Sequence, residues 1–505
     1  MGIFPISKKD SLSDLLQLVK MVTETHPDPF LHKKSRIEFF RSVNSIMEQV
    51  PENIDQETFH IFAMKVMALV GDGHTSMDPL PESREKIWLK IEPIDGSLLV
   101  LGVYSHEHEK FIGSVIKGIN GIPMETIKEN MKKLRGANGE NNNLMHIMEC
   151  FGQKHLMGYL LDRSAKDIGS INLELNNRGN VYEMEFEFSE EKPGELIIRN
   201  GMELPSSETS DLSWTILDGR TGYLRIESMR KYRENFESQL NHGASEKFLM
   251  ELIERTGMNT SGTIKEIIGK IPSASQIITE FLTKMKETGS SNILVDLRDN
   301  TGGNSYMANI LSYFLFGKRI LKVDEGFDVE RYSEMYAKQF EIENFESYPG
   351  GYNFKEENRW RNGFRGITED EFEKIVNMSP TFSAFMKSYN LHSGWKVYVL
   401  CSARTFSAGF DLLSFMGNCG STVIGVRPSQ AANAFTNTIR FELQNSGLKG
   451  WISSKLMVKY PNEPMFYEII PDQEIGIDKY ADHDYATDTI VAEALKFILT
   501  ETNSM

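Results

Sequence analysis

The sequence predicts an α/β protein whose core is a mainly parallel sheet, and three observations carry this. A strand–loop–helix unit occurs twice in the C-terminal half. Ile293–Leu297 is a buried-type strand followed by a glycine turn and a helix from Ser305 to Phe316. Trp395–Cys401 is a strand followed by a turn and a helix from Ala408 to Met416. Mostly apolar runs of this length suit strands buried on both faces. The third observation is a change of pattern along the chain, from helical spacing to short strand-like runs and then to strand–helix alternation. It predicts a helical N-terminal region over residues 1–84, a small β-rich accessory domain over 85–204, and an α/β core over 205–505 with an insert at about 324–390.

In the N-terminal region, Ser11 or Ser13 is placed to cap a helix with Leu12, Leu15, Leu16, Val19 and Val22 at helical spacing, stopping before His26-Pro27. Asp55 caps a second, with Phe59, Phe62, Val66, Leu69 and Val70 on one stripe, ended by Gly71 and Gly73. In the accessory domain, Leu98–Val103 and Ser170–Leu175 read as strands, and Tyr182–Phe188 alternates like a half-buried one. FIGSVIKGINGIPMETI holds a strand, a turn at Asn120-Gly121 and a helix start; ENNNL reads as a polar loop. A segment rich in Ser, Glu and Pro, residues 203–213, marks the boundary. In the core, Thr221–Ile226 is a strand, and Ser273 caps an amphipathic helix ended by Gly289. The insert is rich in charge and aromatics, with a turn at Pro349-Gly350-Gly351, and its place between the two units predicts a border on any site they form.

Composition narrows the function classes. The chain has 505 residues, 40% hydrophobic and 25% charged, which suits a folded protein with a sizeable core. Its 71 acidic against 55 basic residues give a net charge of −16, and no Lys/Arg-rich run is present, so nucleic acid is not an expected partner. Cys150, Cys401 and Cys419 are too few and too scattered for a disulfide framework or zinc site, and His106-x-His108 alone is too small a ligand set, so no metal or organic cofactor is expected. No apolar run approaches membrane-spanning length. MGIFPISKKDSLSDLL has neither an apolar stretch nor a cleavage site, so the chain is expected to be cytoplasmic if complete and exported if a signal was removed.

Three segments carry chemistry. Ser407, in TFSAG, follows a strand and opens a helix, where unpaired N–H groups and the helix dipole favour developing negative charge. The turn DLRDNTGGN offers Gly302 and Gly303, whose backbone can present N–H groups to an anion. It lacks the spacing of a phosphate-binding loop. GDGHT places His74 on a tight turn, suited to a rigidly held general base.

Taken together and in this order, GDGHT, DLRDNTGG and TFSAG resemble the S41 family of serine peptidases, which includes the C-terminal processing (tail-specific) and tricorn-core-like proteases. The resemblance extends from HPDPF at His26–Phe30 to PDQEI at Pro471–Ile475. It implies a crotonase/ClpP-like core, a peptide or protein substrate, Ser407 as nucleophile, and an oxyanion hole from Ala408 and the Gly302-Gly303 turn. Members of one type use a Lys about 25 residues after the Ser. The matching stretch here, GVRPSQAANAF at 425–435, holds no Lys, and Lys449 lies too far along, so His74 is the implied base. The resemblance further implies a carboxylate orienting the imidazole: Glu468 is the choice, with Glu463, Asp472 and Glu474 open. FIGSVIKGINGIPMETI is similar to the end of the PDZ-like modules of the family, without a complete carboxylate-binding loop. An inactive ligand-binding protein on the same scaffold is the alternative, although it needs none of Ser407, His74 or the glycine pair. An α/β-hydrolase is disfavoured because Thr405 stands where G-x-S-x-G requires Gly, and the one histidine after Ser407 is His483.

Overall fold

Six strands form the central sheet in the order Leu212–Leu217, Thr221–Ile226, Asn292–Asp296, Lys396–Cys401, Thr422–Gly425 and Gln473–Glu474. All neighbours are parallel except the first pair. The computed structural model describes residues 4–503 apart from 34, 81–84, 200, 209, 259–260, 325, 340–358, 365–367 and 389–393. The sheet separates two cores, and strand alternation divides its side chains between them. Tyr223, Leu294 and Tyr398 lie in register on one face; Leu224, Val295, Val399 and Val423 lie in register on the other. The second face packs against helices Ala274–Thr288, Tyr306–Phe316 and Ala408–Asn418. The first shares one continuous core with the N-terminal helices and the accessory sheet, from Leu15 and Phe59 through Leu99 and Ile171 to Ile424.

A second sheet runs Arg359–Phe364, Phe327–Tyr332, Lys449–Val458 and Asn433–Glu442, all antiparallel, and Ser76–Met77 pairs with Gly450 and Trp451 of the third strand. This pairing stitches the N-terminal region onto the C-terminal half. The accessory region is a seven-stranded antiparallel sheet between Leu89 and Ile198, with helices Met124–Lys132, Glu140–Cys150 and Lys154–Leu160. Asn120 and Gly121, both at positive φ, make its tight turn.

Local signals placed most elements. Asp55 accepts the Thr58 N–H and starts helix Gln56–Ala68; Ser273 accepts that of Gln276, and Gly289 at φ 67° ends helix Ala274–Thr288. Two readings need correction. The first helix spans Lys8–Thr25 and its cap is Ser7, which accepts the Asp10 N–H; Ser11 is buried inside it. The ENNNL segment is not a loop but the first turns of helix Glu140–Cys150. Its asparagines are buried and find partners from other segments: Asn142 Oδ1 accepts the Asn138 N–H, Asn141 donates to the Arg427 carbonyl, and Asn143 donates to that of Lys128. The region between Ile226 and Ser273 folds as helices Arg233–Asn241, Glu246–Arg255 and Ile264–Lys270. Helix Arg36–Glu48 was also unexpected, since it buries only Phe39 and Val43 and so carries little apolar stripe. The Pro349-Gly350-Gly351 turn lies outside the described residues.

Candidate active site

The turn after strand Lys396–Cys401 bends sharply at Ser407, whose φ of 53° and ψ of −126° are rarely adopted by a side-chain-bearing residue. Such strain persists only where surrounding contacts over-determine it. Thr405 Oγ1 donates to the Leu297 carbonyl, Ser402 Oγ to that of Arg298, and the Phe406 N–H to that of Asn300. The Ser407 N–H is itself taken by Gln430 Oε1 at 2.5 Å.

Asn300 staples three segments together. It is fully buried, its Nδ2 donates to the Ile226 carbonyl, and its Oδ1 accepts the Gly302 N–H. Gly302 at φ 98° and Gly303 at φ 142° follow. A Cβ on Gly302 would stand 2.6 Å from Ser407 Cβ and 2.9 Å from Ala408 N. The glycine turn therefore lies directly on the serine turn. The N–H groups of Gly303 and Ala408 take part in none of the described hydrogen bonds, whereas that of Gly302 is spent on Asn300. This revises the expectation for Gly302, whose part in the geometry is close approach rather than donation.

His74 reaches the same place from the other end of the chain. Its ring stacks on Phe406 with centroids 4.4 Å apart, and it lines one cavity with Ser407, Gly303 and Asp411. This cavity encloses about 520 Å³, and the insert reaches it through Asp328, which pairs with Lys455 at 3.2 Å. Both His74 ring nitrogens are buried without a hydrogen bond of full geometry. Burial pushes the imidazole below its ordinary pKa; the charges of Asp72 and Asp411 and the Phe435 backbone offset part of this. The ring is accordingly neutral at pH 7.

The loop bearing His74 is anchored by Asp72, which is fully buried. Asp72 Oδ1 accepts the His74 N–H at 3.0 Å; Oδ2 accepts the hydroxyls of Thr75 and Ser453, each at 2.6 Å, and faces His26 Nε2 at 3.4 Å. His26 Nδ1 accepts the Asp28 N–H, which leaves the proton on Nε2, towards Asp72. Burial alone would raise the Asp72 pKa; the hydrogen bond and charge of His26, with those of His74, bring it below its ordinary value. Gly73 completes the loop in a space with no room for a side chain, since a Cβ there would meet Asn142 Oδ1 at 2.5 Å.

A sequence model of Peptidase family S41 matches residues 220–475, just over half of the chain. The chain belongs to peptidase family S41. Membership makes it a hydrolase of the serine-protease class. Its fold is similar to that of mature CPAF complexed with lactacystin, with a TM-score of 0.60 over 99% of both chains at 12% identity. Mature CPAF alone gives 0.58 over 95% of each chain at 11% identity. The photosystem II D1 C-terminal processing protease gives 0.41 over 93% of this chain and 94% of that one, at 12% identity. The two likenesses to CPAF are of fold. No curated protein sequence matches the chain.

In this S41 peptidase the carboxylates acting on His74 are Asp72 and Asp411, neither of them singled out from the sequence. Glu468 was expected to orient the imidazole, but no described contact joins the two. Its carboxylate lies against Gly139 and faces Arg427 at 3.8 Å, in a separate cleft. The two sites are one segment apart, since Asn138, next to Gly139, accepts the Gly73 N–H and Asn142, three residues on, packs against Gly73. Of the alternatives, Asp472 accepts the Val423 N–H and Glu474 pairs with Arg427 at 2.6 Å; neither these nor Glu463 line the Ser407 cavity. Asp72 and His26 did have a signal, because both stand inside the quoted GDGHT and HPDPF segments. Asn300 and Gln430 had none beyond lying in the turns. Among the described residues no three His, Cys, Asp or Glu side chains are grouped as metal ligands, and no helix is long and apolar enough to cross a membrane.

Proposed function

We propose that the chain is a serine endopeptidase acting through Ser407 and His74 on an α/β core of the crotonase/ClpP-like type. The observation that carries this reading is the shared cavity: a serine at a strained strand-to-helix turn and a neutral, unpartnered imidazole from 333 positions away line one space. Ser407 Oγ attacks the scissile carbonyl carbon as its proton passes to a His74 ring nitrogen. The carbonyl oxygen becomes an oxyanion received by the N–H groups of Gly303 and Ala408, the latter at the start of helix Ala408–Asn418. Collapse of the intermediate breaks the C–N bond, and His74 gives its proton to the departing amine. Water, deprotonated by His74, then hydrolyses the acyl-enzyme and regenerates Ser407.

Asp72 fixes the His74 loop and favours the imidazolium that forms in the transition state. Glu468 takes no direct part in this reading. Endo-cleavage is favoured because Thr436, in the cavity wall, belongs to Asn433–Glu442, the last strand of its sheet, whose edge Gln339 occupies at Thr438 and Arg440 and along whose Thr436 end an extended chain can lie. Labelling with a fluorophosphonate tests the reading. The wild-type chain should be labelled and Ser407→Ala should not; equal labelling of the two would overturn it.

A further inference from the structure

A second cleft, of about 980 Å³, lies between helices Arg36–Glu48 and Gln56–Ala68 and the segment from Glu125 to Asn143. Its charge runs against the rest of the protein. The chain carries −16, yet this cleft presents six cationic side chains and only three carboxylates. The carboxylates are already committed: Glu125 and Glu140 to Lys128 at 2.9 and 2.8 Å, and Glu129 to Lys132 at 2.6 Å. Arg135 pairs outward with Glu149. Lys33, Lys65 and Lys133 face no described carboxylate at ion-pair distance. Lys65 rests over the rings of Phe62 and Tyr159, and Lys133 donates to the Asn130 side chain. Burial, and the charge of Lys133, both lower the Lys65 pKa, so two like charges share a partly desolvated space, where Glu129, already bonded to Lys132, is the carboxylate that acts on Lys133. Such an arrangement costs free energy unless an anion enters it.

The volume is too large for a simple ion and sits at the upper end of organic-ligand cavities. Part of the wall is apolar, from Ile46, Leu69 and Phe466. The cleft also touches the catalytic loop. Gly71 stands in its wall three residues before His74, and a Cβ on Gly136, also in the wall, would come within 2.5 Å of Asp72 N.

We propose that this cleft docks an extended acidic peptide segment with interspersed apolar residues, belonging to the chain that is cleaved at Ser407. The proposal rests on the peptidase reading for the identity of its occupant, and its test does not use catalysis. Fluorescence anisotropy of a labelled twelve-residue Glu/Leu peptide would be followed with Ser407→Ala protein. Saturable binding is expected, weakening steeply between 50 and 300 mM salt. Lys33→Glu with Lys133→Glu, both at the accessible rim, should weaken it at least tenfold with an unchanged melting temperature. Lys33→Arg with Lys133→Arg should restore it, and a Lys/Leu peptide should not bind. No saturable binding, binding unaffected by the charge reversal, or displacement by inorganic tripolyphosphate at equal concentration would overturn the proposal. The last result would mark a plain anion site. Fluorophosphonate labelling of the double variant separates the two readings: labelling without peptide binding leaves the peptidase and removes the docking site.

Discussion

Gly302 and Ser407 come from segments about a hundred residues apart, yet a methyl group added to Gly302 would stand 2.6 Å from the Ser407 Cβ. The glycine turn and the serine turn thus form one packed unit, closed by Asn300 beneath them. Gly302→Ala should therefore strike both stability and chemistry. The φ of 98° and the collision together should cost roughly 1–3 kcal/mol. Fluorophosphonate labelling should slow by about a hundredfold or more, because Ala408 N moves with Ser407. Unchanged labelling kinetics would show that the two turns are not coupled.

Ser407→Ala and His74→Ala should each reduce turnover of a peptide substrate by about 10³-fold or more. The double variant should be no worse than either single one, because nucleophile and base act as a unit. Multiplicative losses would assign the base to another residue.

Asp72→Asn keeps the shape of the side chain and removes its charge. One carboxylate oxygen becomes an NH2 group, so with Oδ1 still accepting from the His74 N–H, the Thr75 and Ser453 hydroxyls lose their acceptor and His26 loses the facing charge. Truncating a buried charged network costs about 2–4 kcal/mol, so a clear drop in melting temperature is expected. With Asp72 no longer raising the His74 pKa, the acid limb of kcat/KM should also move to lower pH. Ser453→Ala, which removes one donor and no charge, should cost less stability and leave that limb in place. A limb unmoved by Asp72→Asn would show that Asp72 holds the loop only structurally.

Burial holds several histidines neutral in the folded state. His60 and His155 are in contact at 3.2 Å with pKa values pushed down to about 4, and burial lowers His146 and His74 also. An unfolded chain binds these protons near pH 6.5, so between about 4 and 6.5 it carries more of them than the folded chain. Stability should be complete above pH 6.5 and fall as the pH drops towards 4. Urea midpoints at pH 7.5, 6.0 and 5.0 would measure this; a constant or rising midpoint at pH 5.0 would contradict it. Activity should stay level around pH 7, with an acid limb below 6.5, where His74 takes up its proton.

The sequence by itself determined many of the elements and singled out two residues of the candidate site. Local physics sufficed for the Asp55 and Ser273 caps, the Gly289 stop and the strand Asn292–Asp296 around its apolar Ile293–Val295, because these depend on neighbours within a few positions. Ser407 and His74 were singled out through the resemblance of TFSAG and GDGHT, taken with DLRDNTGG, to the family motifs, and both line one cavity. The cap of the first helix, expected at Ser11 or Ser13, is Ser7, because several serines could cap it, and tertiary docking buried Ser11. ENNNL looked like a loop because polar asparagines make no apolar stripe; they are helical because Arg427, Lys128 and Asn138 satisfy them from other segments. The carboxylate beside His74 was the hardest to read. Glu468 stands in a suggestive motif, but which carboxylate faces an imidazole depends on how strand Lys449–Val458 docks onto Ser76–Met77, bringing Ser453 and Asp72 together. That contact spans 381 positions. Only burial of the shared core selects it, since hydrophobic packing is non-directional and leaves no mark in the local sequence.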